Sequence, residues 1–283
     1  MSAIFGPAGN SDSFLAQGYK STMDAPEFLS KMGLDAYEYQ CGKGVKTGQE
    51  TAIKFGEKAK ENNIKLSIHA PYYISLSSVE EEKRNNSIGY IMQTANLAEY
   101  MGADRIIIHS GSCAKLSRLE ALEFAKNTIK RARAKAIDDG LANITFCPET
   151  MGKHNQLGDL YEVMELCKID ESFIPCIDFG HLNARTNGSI NAKEEYAKIL
   201  DTIENELGVE RLKVFHSHFS KIEYTEKGGE VKHLTFEDML YGPQFEPLME
   251  LVARKNLSPR FICESAGTQA EDALAMKKYY KTL

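Results

Sequence analysis

The stretch "RIIIHSGSCAKLSRLEALEFAKNTIKRA", residues 105 to 132, contains two periodicities in succession. It opens with a short β-branched run, "RIIIHS" (105 to 110), of a length and composition suited to a buried strand. It continues into apolar residues at three- and four-residue spacing (Leu119, Leu122, Phe124, Ala125, Ile129, Ala132), the stripe of an amphipathic helix. A strand feeding a helix that covers it is the unit of parallel sheets.

The same alternation runs outward in both directions. Upstream lie "AIF" (3 to 5), "AYEYQ" (36 to 40) and "KLSIHA" (65 to 70). Downstream lie "NITFCPE" (143 to 149), "FIPCIDF" (173 to 179), "LKVFHSHF" (212 to 219) and "RFICES" (260 to 265). A second helical stripe, Ile88, Ile91, Met92, Ala95, Leu97, Ala98 and Met101, precedes the opening stretch, and Gly33, Gly102, Gly140 and Gly208 stand where helices need C-terminal caps. Eight strand-helix units in one chain of 283 residues predict an α/β fold, a single (β/α)8 TIM-barrel domain over 1–283 with its active site at the C-terminal ends of the strands. No glycine-rich nucleotide fingerprint points to an open doubly wound sheet instead. The longest predicted loop, 220 to 242 after strand seven, exceeds what a connector needs and reads as a lid or ligand supplier.

Composition limits the function. With 34 Lys and Arg against 40 Asp and Glu, the net charge of −6 provides no global attraction for a polyanion, so nucleic-acid affinity would need a local patch. The six cysteines form no CxxC, and Cys147, Cys176 and Cys263 fall in apolar runs where a thiol packs as a small hydrophobe. No span-length apolar run and no signal-peptide pattern is present, so a cytoplasmic protein without membrane contact is expected.

Because a barrel delivers every strand's last residues to one face, the strand ends name what converges there. They are His69, His109, Glu149, Asp178 with His181 just beyond, His216 and His218, and Glu264; His233 lies in the long loop and His154 after strand five. Each alone has an ordinary structural reading. Together, imidazoles and carboxylates facing one small volume require a neutralising cation. Imidazole and carboxylate ligands without thiolate suit catalytic zinc, with Mn2+ or Fe2+ as alternatives, and Glu149 lies between the two sides of the ring, where it would bridge two ions.

These residues resemble the endonuclease IV family of apurinic/apyrimidinic endonucleases, from about residue 64 to the C-terminus. The resemblance is carried by "SIHAPYYISL", "IIIHSGS", "PETMGKHNQLGDL", "IDFGHLNAR", "LKVFHSHFSK" and "ICES" in order. It implies zinc, two or three ions: the first on His69, His109 and Glu149, the second on Glu149, Asp178, His216 and Glu264, the third on His181 and His233. It further implies a bridging hydroxide that cleaves duplex DNA 5′ of an abasic site, in base-excision repair, with Glu149 catalytic and Tyr72 inserting into the duplex.

Two departures stand out. The family's third-site Asp is replaced by Val231, which leaves either His218 or Glu230 as a stand-in or a third site that is weak or absent, and strand seven offers both His216, the preferred ligand, and His218. The N-terminal "FGPAGNSDSF" and "YEYQCGKGV" do not match the family's first loops. Loop residues Lys43, Lys46, Lys153, Arg185, Lys221, Lys227 and Lys232, with Tyr72, Tyr73 and Tyr224, supply a basic, aromatic rim, with Tyr72, Lys153 and Arg185 the expected DNA contacts of a monomeric enzyme. The rim also holds Glu223, Glu226 and Glu230. The rival expectation is a single-metal sugar isomerase or epimerase using Glu149, Asp178, one strand-seven histidine and Glu264. A non-enzymatic metal- or DNA-binding module is the third.

Overall fold

The computed structural model of the protein describes residues 2 to 283. Its strands are β1 (Ile4–Pro7), β2 (Ala36–Gln40), β3 (Lys65–His69), β4 (Arg105–His109), β5 (Thr145–Glu149), β6 (Cys176–Asp178), β7 (His216–Phe219), β8 (Lys221–Thr225), β9 (Gly229–Leu234) and β10 (Arg260–Cys263). The helices are α1 (Asp12–Ala16), α2 (Ala25–Met32), α3 (Gln49–Glu61), α4 (Glu81–Met101), α5 (Arg118–Asp138), α6 (Leu160–Cys167), α7 (Phe179–Arg185), α8 (Lys193–Leu207), α9 (Val209–Lys213), α10 (Glu246–Arg254) and α11 (Gln269–Tyr280).

Among the described residues, eight parallel strands run side by side in the order β1, β10, β7, β6, β5, β4, β3, β2. The Gly9 N–H donates to Glu38 O (3.0 Å), and Asp35 N–H to Phe5 O (2.9 Å), drawing β1 and β2 together into a (β/α)8 barrel. This seam needs a residue without a side chain, because a Cβ on Gly6 would lie 1.8 Å from the Ala36 carbonyl oxygen.

Alternation along each strand divides the apolar residues. Ile106, Ile108, Phe146, Ile177, Phe219 and Phe261 pack outward under the helices in the main core, while Ile107, Cys147 and Cys176 form a small separate cluster. At the N-terminal end, buried Arg260 donates to Leu66 O (2.8 Å) and to Asp104 (3.0 Å). The interior positions at the opposite end are left to polar residues.

Several boundaries differ from the sequence reading. The long loop 220 to 242 contains an antiparallel hairpin, β8 with β9, which its mixed charge disguised. The run "LKVFHSHF" splits, with its first residues ending α9 and only 216 to 219 pairing as β7. Gly33 and Gly102 do cap α2 and α4 in the left-handed region, but Gly208 joins α8 to α9 rather than leading into a strand. All six cysteines are free and buried. No helix among the described residues is long and apolar enough to cross a membrane.

Candidate metal centre

Glu149, the last residue of β5, is the hub. Its Oε2 lies 3.3 Å from His69 Nε2 and 3.2 Å from His109 Nε2, and its Oε1 lies 2.9 Å from His218 Nδ1. The two carboxylate oxygens thus face opposite halves of the ring. The His69 Nδ1–H donates to the Ala70 carbonyl (2.7 Å), which leaves Nε2 as the nitrogen that faces Glu149 and that a metal ion would take.

Asp178 ends β6 and caps α7, its Oδ1 accepting from the His181 N–H at 2.7 Å. Its Oδ2 is buried, 3.2 Å from His181 Nδ1 but without a hydrogen-bond donor in line. His181 instead donates Nδ1–H to Thr150 O (2.9 Å), so its Nε2 is free and points at Glu230 Oε2, 3.5 Å away. An orphaned buried carboxylate oxygen is costly unless something cationic occupies the space before it. Donor atoms converge in four sets, each within 4.8 Å: His69, Glu149 and His218; Glu149, Asp178, His218 and Glu264; His181, Glu230 and His233; and, without a carboxylate, Cys176, His216 and His218. Oxygen and imidazole donors of this kind fit zinc or a neighbouring divalent ion.

The electrostatics agree with that fit. Burial works to raise the carboxyl of Glu149, but His218, His109 and His69 outweigh it and hold it well below the usual range. Burial likewise opposes charge on His69 and His181, yet the facing carboxylates prevail and lift both to about 9. Asp178 is pushed up, by burial first and then by Glu264 and Glu149. Protons on the rings therefore supply the positive charge that the clustered acids demand, and a divalent ion would replace them.

On strand seven the geometry reverses the preference for His216. His218 is in register with Asp178 at the top of the barrel, whereas His216 pairs in register with Cys176, one layer deeper. His216 is wholly buried, faces Glu38 Oε2 at 3.0 Å, and is held neutral by burial, to about 3. It reaches none of the carboxylate set; His218 does.

The hairpin brings Glu230 beside His233. Glu223 pairs with Lys232 and Tyr224 with Glu230, so Val231 is the extra residue of a β-bulge, half-exposed. The bulge brings Glu230 and His233, three residues apart, onto one face. Glu230 is seated by the loop after β5: its N–H donates to Gly152 O (3.1 Å), and a Cβ on Gly152 would lie 2.7 Å from Glu230 Cβ and 2.9 Å from His181 Cδ2. His154, outside the donor sets, ties the hairpin tip down through Lys227 O (3.2 Å) and Arg185 O (2.9 Å).

The centre opens into a cavity of about 390 Å3 lined by Gln40, Gly42, Tyr72, Lys153 and Gln156 besides the donors. Tyr72 and Lys153 are exposed on its rim. Arg185 is not available as a free contact: its guanidinium donates to Met151 O (3.1 Å), Lys153 O (2.8 Å) and Gln156 O (3.1 Å), and so braces the loop that carries Lys153. Lys221 is also withdrawn, buried with its Nζ on Phe236 O and Asp238 O. Sequence reasoning missed Glu38, a buried carboxylate within hydrogen-bond reach of His218 (2.9 Å); the signal was a lone acid between Tyr37 and Tyr39 in the middle of a buried strand.

A TIM barrel whose C-terminal face gathers buried imidazoles and carboxylates into several donor sets defines a class of metal-site barrels. The family whose description is "xylose isomerase-like TIM barrel", that of AP endonuclease family 2, matches residues 26–280, and the chain belongs to it. It is 36% identical over 276 residues to an uncharacterised protein of Methanocaldococcus jannaschii, covering 98% of this chain and 96% of that one. It is 28% identical over 197 residues to "Probable endonuclease 4" of Mycoplasma pneumoniae, covering 68% of this chain and 64% of that protein. Among solved structures, a D-tagatose 3-epimerase-like protein superposes with a TM-score of 0.73 at 17% identity (99% and 97% of the two chains). Endonuclease IV from Thermus thermophilus superposes at 0.69 with 16% identity (99% and 98%). At such identities the structures speak for the fold.

Proposed function

We propose that the protein is a zinc-dependent phosphodiesterase of the endonuclease IV type, acting on duplex DNA at abasic sites. One ion would be held by His69, His109 and Glu149, a second by Glu149, Asp178, His218 and Glu264, and a third by His181, Glu230 and His233. Divalent ions held there would supply Lewis acidity, making bound water more acidic and offsetting the charge of a phosphodiester. The residues do the rest: Glu149 offers one oxygen to each half of the ring, the Ala70 and Thr150 carbonyls fix the ring orientations of His69 and His181, and Tyr72 presents a stacking face beside Lys153 on the rim.

The observation that carries this reading is the His181, Glu230 and His233 set, assembled apart from the four-residue set. A single-ion isomerase has no use for it. The second reading, an epimerase acting on a ketose, is favoured by the completeness of the Glu149, Asp178, His218 and Glu264 set on its own.

The test incubates the metal-loaded protein with a duplex containing one abasic site, alongside metal analysis. Two or three ions per chain and a nick at the lesion are expected, with Glu149→Ala slower by about 100- to 1,000-fold or more, as for loss of a directly acting electrostatic group. One ion per chain, or no nicking with zinc, manganese or iron, rejects the reading.

A further inference from the structure

Glu38 lies fully buried on β2, and the reaction proposed above makes no use of it. Its Oε1 accepts from His218 Nε2 (2.9 Å) and from Gln40 Nε2 (3.3 Å); its Oε2 accepts from Ser67 Oγ (2.9 Å). Among the described residues no lysine or arginine pairs with it; the ionisable groups facing it are His216 at 3.0 Å and His218 at 2.9 Å. A carboxylate that deep in a barrel, without a cationic side chain of fixed charge, is expensive to keep.

The arrangement determines which nitrogen of His218 is free. A carboxylate held in this way accepts, so Nε2 keeps its proton, and a metal ion would displace the proton of the other nitrogen, Nδ1. That nitrogen faces Glu149 Oε1 at 2.9 Å and Glu264 Oε2 at 3.6 Å, on the side where the donor set converges. Ser67 in turn fixes Glu38, so the orientation is transmitted from β2 and β3 across the barrel to β7.

We propose that Glu38 is a positioning residue of the metal centre, a buried carboxylate that locks the tautomer and ring plane of His218 and strengthens Nδ1 as a ligand. The proposal rests on the metal-centre reading and is independent of the substrate. Orienting partners of ligating histidines typically change metal affinity by about 10- to 100-fold when removed.

The experiment measures zinc affinity and stoichiometry by chelator competition on the full chain, for wild type, Glu38→Ala and Glu38→Gln, with thermal melts of the metal-free proteins. Glu38→Gln keeps the volume and an oxygen acceptor, and carries the test if Glu38→Ala does not fold. The expected result is one ion per chain bound about 10- to 100-fold more weakly in Glu38→Ala, and less weakened in Glu38→Gln, with the other ions held as in wild type. Unchanged affinities, or a fall in metal-free melting temperature with every site weakened alike, overturn the proposal, the latter by assigning Glu38 to general stability. If wild type nicks abasic DNA while the variants bind zinc normally, this inference alone fails. If one ion is lost as expected but wild type nicks nothing, the substrate reading fails and the positioning role stands. A wild-type protein that takes up no ion overturns both.

Discussion

At the residue scale the centre is a balance between burial, which favours neutral rings, and facing carboxylates, which favour charged ones. His69 and His181 end at about 9 against an ordinary 6.5. A group raised in this way contributes stability that is complete below about 6.5 and is lost as pH climbs through about 9. Chelated protein is therefore expected to melt at lower temperature at pH 9 than at pH 6.5, and the zinc-loaded protein to change much less, because the ions supply the charge. A flat melting profile of the chelated protein across that window would contradict the account. The two strand-seven histidines separate by the same measurements: His218→Gln should lose one ion per chain, while His216→Gln keeps the full complement and costs about 1–3 kcal/mol in urea unfolding from disturbed buried polar contacts.

At the element scale the decisive feature is the β8–β9 hairpin and its contact with the loop after β5. The bulge at Val231 puts Glu230 on the same face as His233, within 4.8 Å of it and of His181. Val231, half-exposed, does no ligating, so Val231→Ala should leave metal content unchanged. Gly152→Ala should not be neutral: the added methyl would meet Glu230 and His181 within 3 Å. The expected outcome is loss of the ion at His181, Glu230 and His233 with the others retained, and a stability deficit of about 1–3 kcal/mol from overpacking. Metal analysis with denaturant unfolding checks both. The hairpin was hidden in the sequence because "KIEYTEKGGEVKHL" mixes charges with strand residues, and a bulge breaks the two-residue count by which faces are read.

At the scale of the whole molecule, the ring joins at β1 and β2, and Gly6 permits it. Gly6→Ala places a methyl against the Ala36 carbonyl and should reduce stability by more than about 3 kcal/mol or prevent folding, read by circular dichroism and thermal melting. An alanine variant that melts like wild type would show that the seam is looser than described. The eight-unit architecture was legible because each unit carries its own periodicity, as in the strand 105–109 followed by α5. So was the placement of the candidate ligands: His69, His109, Glu149 and Asp178 end their strands, as read.

What the sequence determined by itself was local: where chains of apolar residues change period, and which residue types stand at the ends of the strands. What only the tertiary structure decided was depth and reach. His218 rather than His216 joins the acids because the stagger between neighbouring strands sets the layer each residue occupies, and that stagger is a property of the ring. Glu38, Gly152 and the tethered guanidinium of Arg185 acquire their roles from contacts with residues roughly 30 to 180 positions away, which the periodicity of a single segment cannot express.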